Sequence, residues 1–299
     1  MKVSGAVGEY IAWKHSLGIR FSSIARFFSS FTRELNGKDV HQVRSAEIAR
    51  FLNRTRITSS TWQQNYDKLD RFFRYLKISG KIIRNPMPTR AARTPITFVP
   101  YIYSRAEIKR LTDRTILKKV ARRPLMDVET FRTLLLFLYG TGVSVSEALN
   151  LHKRNINFRS NVIRIARHED SPHRQIPIGP DVTILLKNFL KSPTRHSLRC
   201  GYVFATIKGN RLSPVTVIAN FRHLRRHAKI STPDGSYYQP RMHDLRSTFA
   251  VHRIESWYRE GVDVYKMIPA LAVYMGRVGI RSTEKYVLLT PAHFRRQVK

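Results

Sequence analysis

Residues 127–151, DVETFRTLLLFLYGTGVSVSEALNL, decide the fold class. Asp127 can offer a side-chain oxygen to the free N–H groups of a first helical turn, and the strongly apolar run from Val128 suits a buried helix. Gly140 and Gly142 end that helix, because glycine takes up the left-handed conformation of a helix terminus without steric cost. Ser144 and Glu147 follow with the S-x-x-E spacing of a capping box, which starts another helix.

Downstream, residues 161–166 (NVIRIA) and 174–178 (RQIPI) are short β-branched stretches separated by a polar turn, the pattern of a β-hairpin. Helices are expected again over 214–228, 241–260 and 269–289. Upstream, Ser104 caps a helix beginning RAEIKRL. The chain therefore reads as mainly α with a small antiparallel sheet, an α+β fold.

Residues 85–100 (NPMPTRAARTPITFVP) are rich in Pro, Thr and Arg and have no sustained period, so they read as an extended linker. Its Arg90 and Arg93 suit a path beside phosphate, and equally an ordinary solvated linker. Before the linker, Ile24, Phe27, Phe28 and Phe31 recur at helical spacing, as do Trp62, Tyr66, Leu69, Phe73 and Leu76. Ser60 is placed to cap the latter helix and Gly80 to close it, and shorter helices are expected over 45–53 and 3–15. Residues 1–84 thus form a helical bundle whose polar faces carry Lys14, Arg26, Arg50, Arg71 and Arg74. Residues 101–299 form a second domain.

The chain has 299 residues, 42% of them hydrophobic, enough for one large or two moderate cores. Its 54 Lys and Arg against 20 acidic residues leave a formal charge of +34, far beyond what solubility requires. The basic residues are spread along the whole chain, so the positive field belongs to folded surfaces and a polyanion is the natural partner. Charge does not separate DNA from RNA. Cys200 is the only cysteine, which rules out an intrachain disulfide and a cysteine-based zinc cluster and fits a reducing cytoplasm. The apolar run around 134–143 is too short to span a bilayer, and the N-terminus lacks a signal-peptide core. No membrane role is expected.

Four segments, in order, resemble the tyrosine recombinase (phage integrase) family: YGTGVSVSEALNL (139–151), the hairpin ending RQIPI, MHDLRSTFA (242–250) and YMGRVGIRSTEKYVLL (274–289). Any one is weak, and the ordered set covers nearly the whole chain. The resemblance implies an N-terminal core-binding bundle, a C-terminal catalytic domain, double-stranded DNA as partner and no cofactor or metal. It implies that Tyr286 attacks a phosphodiester to give a 3′-phosphotyrosyl link. A phenol ordinarily ionises near pH 10, so such a nucleophile needs cationic neighbours. His243 and Arg246 match the family's HxxR, a spacing that puts both side chains on one helix face. Arg246 is suited to gripping phosphate oxygens and His243 to moving a proton. Arg222 and Arg225, on the helix expected over 214–228, are further candidate DNA contacts.

Three positions depart from that pattern. Where the family motif reads TGLRxSE, this chain has Ser144 in place of arginine, although Glu147 is kept. Losing one preorganised donor to a developing oxyanion costs about 3 to 4 kcal/mol of barrier, and a hydroxyl does not replace a fixed charge. Ser144 has a structural reading as the helix cap. Arg277 stands after Gly276, where the family carries His or Trp; a guanidinium there can donate to phosphate but cannot shuttle protons as imidazole does. The hairpin turn, RHEDSPHR (167–174), holds Arg167, His168, His173 and Arg174 but lacks the family's lysine. His168 is the candidate general acid, against the simpler reading of a solvated turn histidine.

The leading expectation is a site-specific recombinase of a mobile element in the bacterial cytoplasm, with a degenerate pocket. It would work as a homo-oligomer or beside other recombinase subunits, since residues 268–286 also resemble recombinases encoded in groups of adjacent genes. The alternative is a catalytically silent DNA-binding regulator or architectural protein. A type IB topoisomerase ranks lower, because the short chain and the motif spacing match integrases.

Overall fold

The computed structural model describes residues 1–17, 22–35, 37–54, 59–89, 99–120, 126–166, 173–196, 200–232, 238–277 and 279–290. Two compact units divide the chain, Met1–Phe98 and Val99–Lys299.

Among the described residues the first unit has four α-helices, α1 (Val3–Ser16), α2 (Ser22–Glu34), α3 (Ser45–Asn53) and α4 (Ser59–Ile78). Their core is aromatic: Tyr10, Phe28, Phe31, Phe51, Phe72 and Phe73 are buried, and Tyr10 meets Phe28, and Phe31 meets both Phe51 and Phe73, edge to face. The α4 terminus follows from Gly80 at φ +68, which lets Lys81 N–H reach the Leu76 carbonyl at 2.8 Å. The chain then continues along this unit, where the Tyr66 hydroxyl donates to the Pro88 carbonyl at 2.8 Å. Arg90 and Arg93 lie outside the described residues.

The second unit begins with α5 (Arg105–Leu111), capped by Ser104 as its sequence implied, and α6 (Arg114–Val120). Next come the apolar α7 (Val128–Thr141) and the short α8 (Val145–Leu149). A three-stranded antiparallel sheet follows, in the order β1 (Ile156–Asn157), β2 (Val162–Ile165), β3 (Arg174–Pro177). The expected hairpin is the β2–β3 pair, with Ile163 opposite Ile176 and both side chains buried; β1 is an addition to it. The remaining helices are α9 (Pro180–Lys191), α10 (Pro193–His196), α11 (Pro214–His227), α12 (Asp244–Arg259), α13 (Val264–Tyr274) and α14 (Arg281–Leu288).

Helix α7 is the hub, packing on α6, α8, α9 and α12. Asp127 caps it through Thr130 N–H at 2.8 Å, and Gly142 ends it at φ +60. A Cβ at Gly142 would stand 2.2 Å from Phe249, so only glycine allows α12 this close.

One expectation needs correction. The helix expected over 269–289 is two helices, divided at Gly276, whose φ of +63 turns the chain. The first starts earlier than Pro269, at Val264, because the Asp263 carboxylate caps it through Tyr265 N–H at 3.1 Å. Among the described residues no helix is long and apolar enough to cross a membrane.

Candidate active site

The turn after α7 lays the floor. Ser144 caps α8 in the expected box: its Oγ accepts from Glu147 N–H at 3.3 Å, and its own N–H donates to Glu147 Oε2 at 2.7 Å. The box therefore holds a carboxylate, 3% exposed, at the bottom of the second unit's site. Burial alone would raise the Glu147 pKa. Hydrogen bonds from Arg174 and from the Ser144 backbone outweigh that and hold it below the ordinary range.

Helix α12 contributes the HxxR pair. His243 immediately precedes the helix, and Arg246 N–H bonds back to its carbonyl at 3.1 Å, so both belong to one turn. Arg246 is 8% exposed and is fixed from three sides. Its Nη1 donates to the Gly142 carbonyl at 2.9 Å and to Glu147 Oε2 at 3.4 Å, while Nη2 donates to the Met275 carbonyl. Burial, only partly offset by Glu147, pushes the Arg246 pKa down to about 10, which leaves the group charged at neutral pH. The His243 imidazole lies at the exposed rim. Loss of hydration against the protein, together with the charge of Arg246, holds its pKa below the ordinary value, so it is neutral at pH 7.

Strand β3 contributes a residue that the motif comparison does not single out. Arg174 pairs through Nη1 with Glu147 Oε1, and its Nε donates to the Tyr274 carbonyl at 3.0 Å. The two oxygens of Glu147 thus carry two guanidiniums, Arg174 and Arg246. The signal was available in RQIPI: alternation places residue 174 on the face of buried Ile176 and Ile178.

The segment after Gly276 supplies the fourth component. Tyr286, on α14, is packed into a cluster with Ile254, Ile268, Leu271 and Met275 and is only 1% exposed. Arg277 donates through Nη2 to its phenol oxygen, and the guanidinium carbon stands 5.1 Å from the ring centroid. The phenol is also near enough to Arg246 to act on that guanidinium electrostatically. The structure therefore brings together Glu147, Arg246, His243, Arg277 and Tyr286, with Ser144 beside them.

Arg222 and Arg225, from α11, line a cavity of about 560 Å³ together with Ser144, Arg241 and His243. Arg222 is exposed, whereas Arg225 is tied to the Ile230 carbonyl at 3.2 Å and to Gln239. Lys14, Arg71 and Arg74 belong to the first unit: Arg71 is exposed, Arg74 pairs with Asp70 at 2.9 Å, and Lys14 sits 4.2 Å over the Trp13 ring. His168 lies outside the described residues, as does Arg167. Among the described residues no group of His, Cys, Asp and Glu side chains is arranged to hold a metal ion.

Residues 110–293 match the model of the phage integrase family. The Sinorhizobium fredii protein y4rB, whose name places it among integrases and recombinases, is 25% identical over 295 residues, 96% of this chain and 92% of its own. Tyrosine recombinase XerA of Pyrococcus furiosus is 30% identical over 195 residues, 64% of this chain and 61% of its own. The Tn1549 transposon integrase, solved with transposon right end DNA, has the same fold. It superposes with a TM-score of 0.70 over 96% of this chain and 94% of that one, at 17% identity. The family match spans well over half of the chain and contains Glu147, Arg246 and Tyr286: this protein is a member of the phage integrase family, the tyrosine recombinases.

Proposed function

We propose that this protein carries out site-specific DNA recombination in a mobile element through a covalent link between Tyr286 and a DNA 3′-phosphate. The observation that carries the reading is the bond from the Arg277 guanidinium to the Tyr286 phenol oxygen, within electrostatic reach of Arg246. That contact fixes the phenol oxygen beside guanidiniums able to offset the charge of a phosphate it attacks, which is the setting an oxygen nucleophile requires.

In the reaction, the Tyr286 oxygen attacks phosphorus as the bond to the 5′-oxygen breaks. The phenol proton passes to His243, which is neutral at pH 7, and the departing 5′-oxygen takes up a proton, with His168 as the candidate donor. The phosphoester is preserved as a protein link, so attack by another 5′-hydroxyl reverses the step. Arg246 neutralises charge on the nonbridging oxygens in the transition state. No cofactor takes part.

The duplex would be held by the basic bundle of the first unit, through Lys14, Arg71 and Arg74, by Arg90 and Arg93, and by Arg222 and Arg225. One chain carries one nucleophile, whereas exchange between two duplexes cuts four strands. Several subunits must therefore assemble on DNA, as copies of this chain or together with related recombinases. The similarity to transposon-borne and full-length integrase relatives supports that setting.

A second reading, a silent DNA-binding protein, is favoured by one observation: Tyr286 is almost wholly buried. The two readings separate in a trapping experiment. A pool of randomised duplexes, each nicked on one strand, is incubated with the protein and quenched in detergent, and the DNA bound covalently to protein is sequenced. Recombination chemistry predicts enrichment of a defined sequence by the wild type and none by Tyr286→Phe. Duplex binding without any adduct, alone or with co-expressed related recombinases, identifies the silent protein.

A further inference from the structure

We propose that Arg174 supplies the phosphate-binding guanidinium that Ser144 cannot. The assignment rests on the recombinase reading above and deepens it by naming a further catalytic residue.

Arg174 reaches the right place from a different element. Position 144 is the residue from which the family's arginine would extend, three residues before Glu147. Here that position is committed to capping α8, and the guanidinium on Glu147 Oε1 comes instead from the start of β3. Arg246 occupies Oε2 of the same carboxylate. One carboxyl group thus orients two guanidiniums side by side, and at the spacing of its two oxygens they suit the nonbridging oxygens of one phosphate.

Two further observations suit an anionic ligand. Nη2 of Arg174 and Nε of Arg277 are buried and have no hydrogen-bond partner among the described residues. Buried guanidinium N–H groups without an acceptor are costly, and both would gain one from a phosphate oxygen. Among the described residues, Arg174, Arg246 and Arg277 also outnumber the one carboxylate that pairs with two of them. A phosphodiester brings one negative charge, and its pentacoordinate transition state brings a second, so the excess is matched where the barrier lies.

The neighbouring chain is shaped around this arginine. Gly276 adopts φ +63, and a Cβ there would stand 2.8 Å from Arg174 Cζ and Nη1. The glycine therefore gives Arg174 room beside the segment that carries Arg277, and the Tyr274 carbonyl fixes its Nε.

The test uses the duplex enriched by wild-type trapping, prepared once with the natural phosphodiester and once with a neutral methylphosphonate at the cleaved position. Single-turnover adduct formation is measured for the wild type, Arg174→Ala, Arg174→Lys and the double variant Arg174→Ala with Ser144→Arg. On the phosphodiester, Arg174→Ala is expected to slow adduct formation by roughly a hundred-fold or more, while duplex affinity stays within about threefold. On the methylphosphonate the deficit should shrink to less than about tenfold, because the charge that Arg174 neutralises is gone. Ser144→Arg should restore at least about tenfold of the lost rate by returning the guanidinium. Should Arg174→Ala fail to fold, Arg174→Lys is read instead on the phosphodiester: it keeps the charge opposite Glu147 and loses the fork, so adduct formation should still fall at least about tenfold, and a rate like the wild type's overturns the assignment. An equal deficit on both substrates means a structural role and overturns the assignment, as does a variant that cleaves like the wild type. A wild type that forms no adduct on any duplex overturns the recombinase chemistry and this assignment with it.

Discussion

Arg277, the residue after the turn that Gly276 makes at the end of α13, donates to the phenol oxygen of Tyr286 on α14. A residue that follows a left-handed glycine is thereby brought against a side chain nine positions further along. On the proposed chemistry the contact gives Arg277 a role at this position: a permanently charged donor holds the phenol oxygen in place but takes no part in proton transfer. Replacing Arg277 by alanine is expected to slow adduct formation about a hundredfold, the usual cost of losing one donor to an oxyanion, as read by rapid-quench kinetics. A change below about threefold would show that the contact does not survive on DNA.

Glu147 should be the most sensitive structural residue of the site, because its removal leaves buried Arg246 beside half-buried Arg174 without a counter-charge. Glu147→Gln is expected to cost about 3 to 5 kcal/mol in denaturant unfolding at pH 7. The sign of its pH dependence follows from a pKa held below the ordinary 4.5. The carboxylate's contribution is complete above that value and is lost as pH falls through the native pKa. The stability gap between wild type and variant should therefore close on acidification below about pH 4.5.

His243 titrates with the opposite consequence for charge. Its pKa is held below 6.5, so the native protein keeps the imidazole neutral at neutral pH. Adduct formation by the wild type should be flat from about pH 6.5 to 8 and should fall at lower pH as the proton acceptor is lost. His243→Gln should lower the plateau and remove that fall. A wild-type profile that rises on acidification would assign the acceptor elsewhere.

Away from the site, Arg195 on α10 is buried at 3% exposure and bonds to Asp127, Thr130 and the Ala205 carbonyl. It ties the cap of α7 to the chain that follows α10. Arg195→Ala should destabilise the fold by about 3 to 5 kcal/mol in urea, because Asp127 loses its partner and a cavity opens. Little effect on stability would mean that the Asp127 cap is sufficient alone.

Much of this arrangement is legible in the sequence, wherever a local rule and the tertiary context agree. The Asp127 cap, the Gly142 stop and the Ser144–Glu147 box each depend on residues within a turn of one another, and each forms as its spacing implies. The division of 269–289 into two helices was hidden by Pro269, which reads as a helix start, whereas the Asp263 cap begins α13 sooner. Arg174 was harder to find because its partner is 27 residues away, and motif spacing carries no signal for a contact between a strand and a helix cap. Its alternation with Ile176 gives the face but not the partner. The burial of Tyr286 was equally invisible, since a tyrosine preceding Val287 and two leucines suits a rim as well as a core.

The most direct measurement locates the DNA on the protein. After trapping on the enriched nicked duplex, nuclease and protease digestion followed by mass spectrometry should find a nucleotide 3′-phosphate attached to the peptide containing Tyr286, and to no other of the 13 tyrosines. Attachment at a different tyrosine, or adduct-free protein under conditions where the duplex is bound and nicked, would contradict the account.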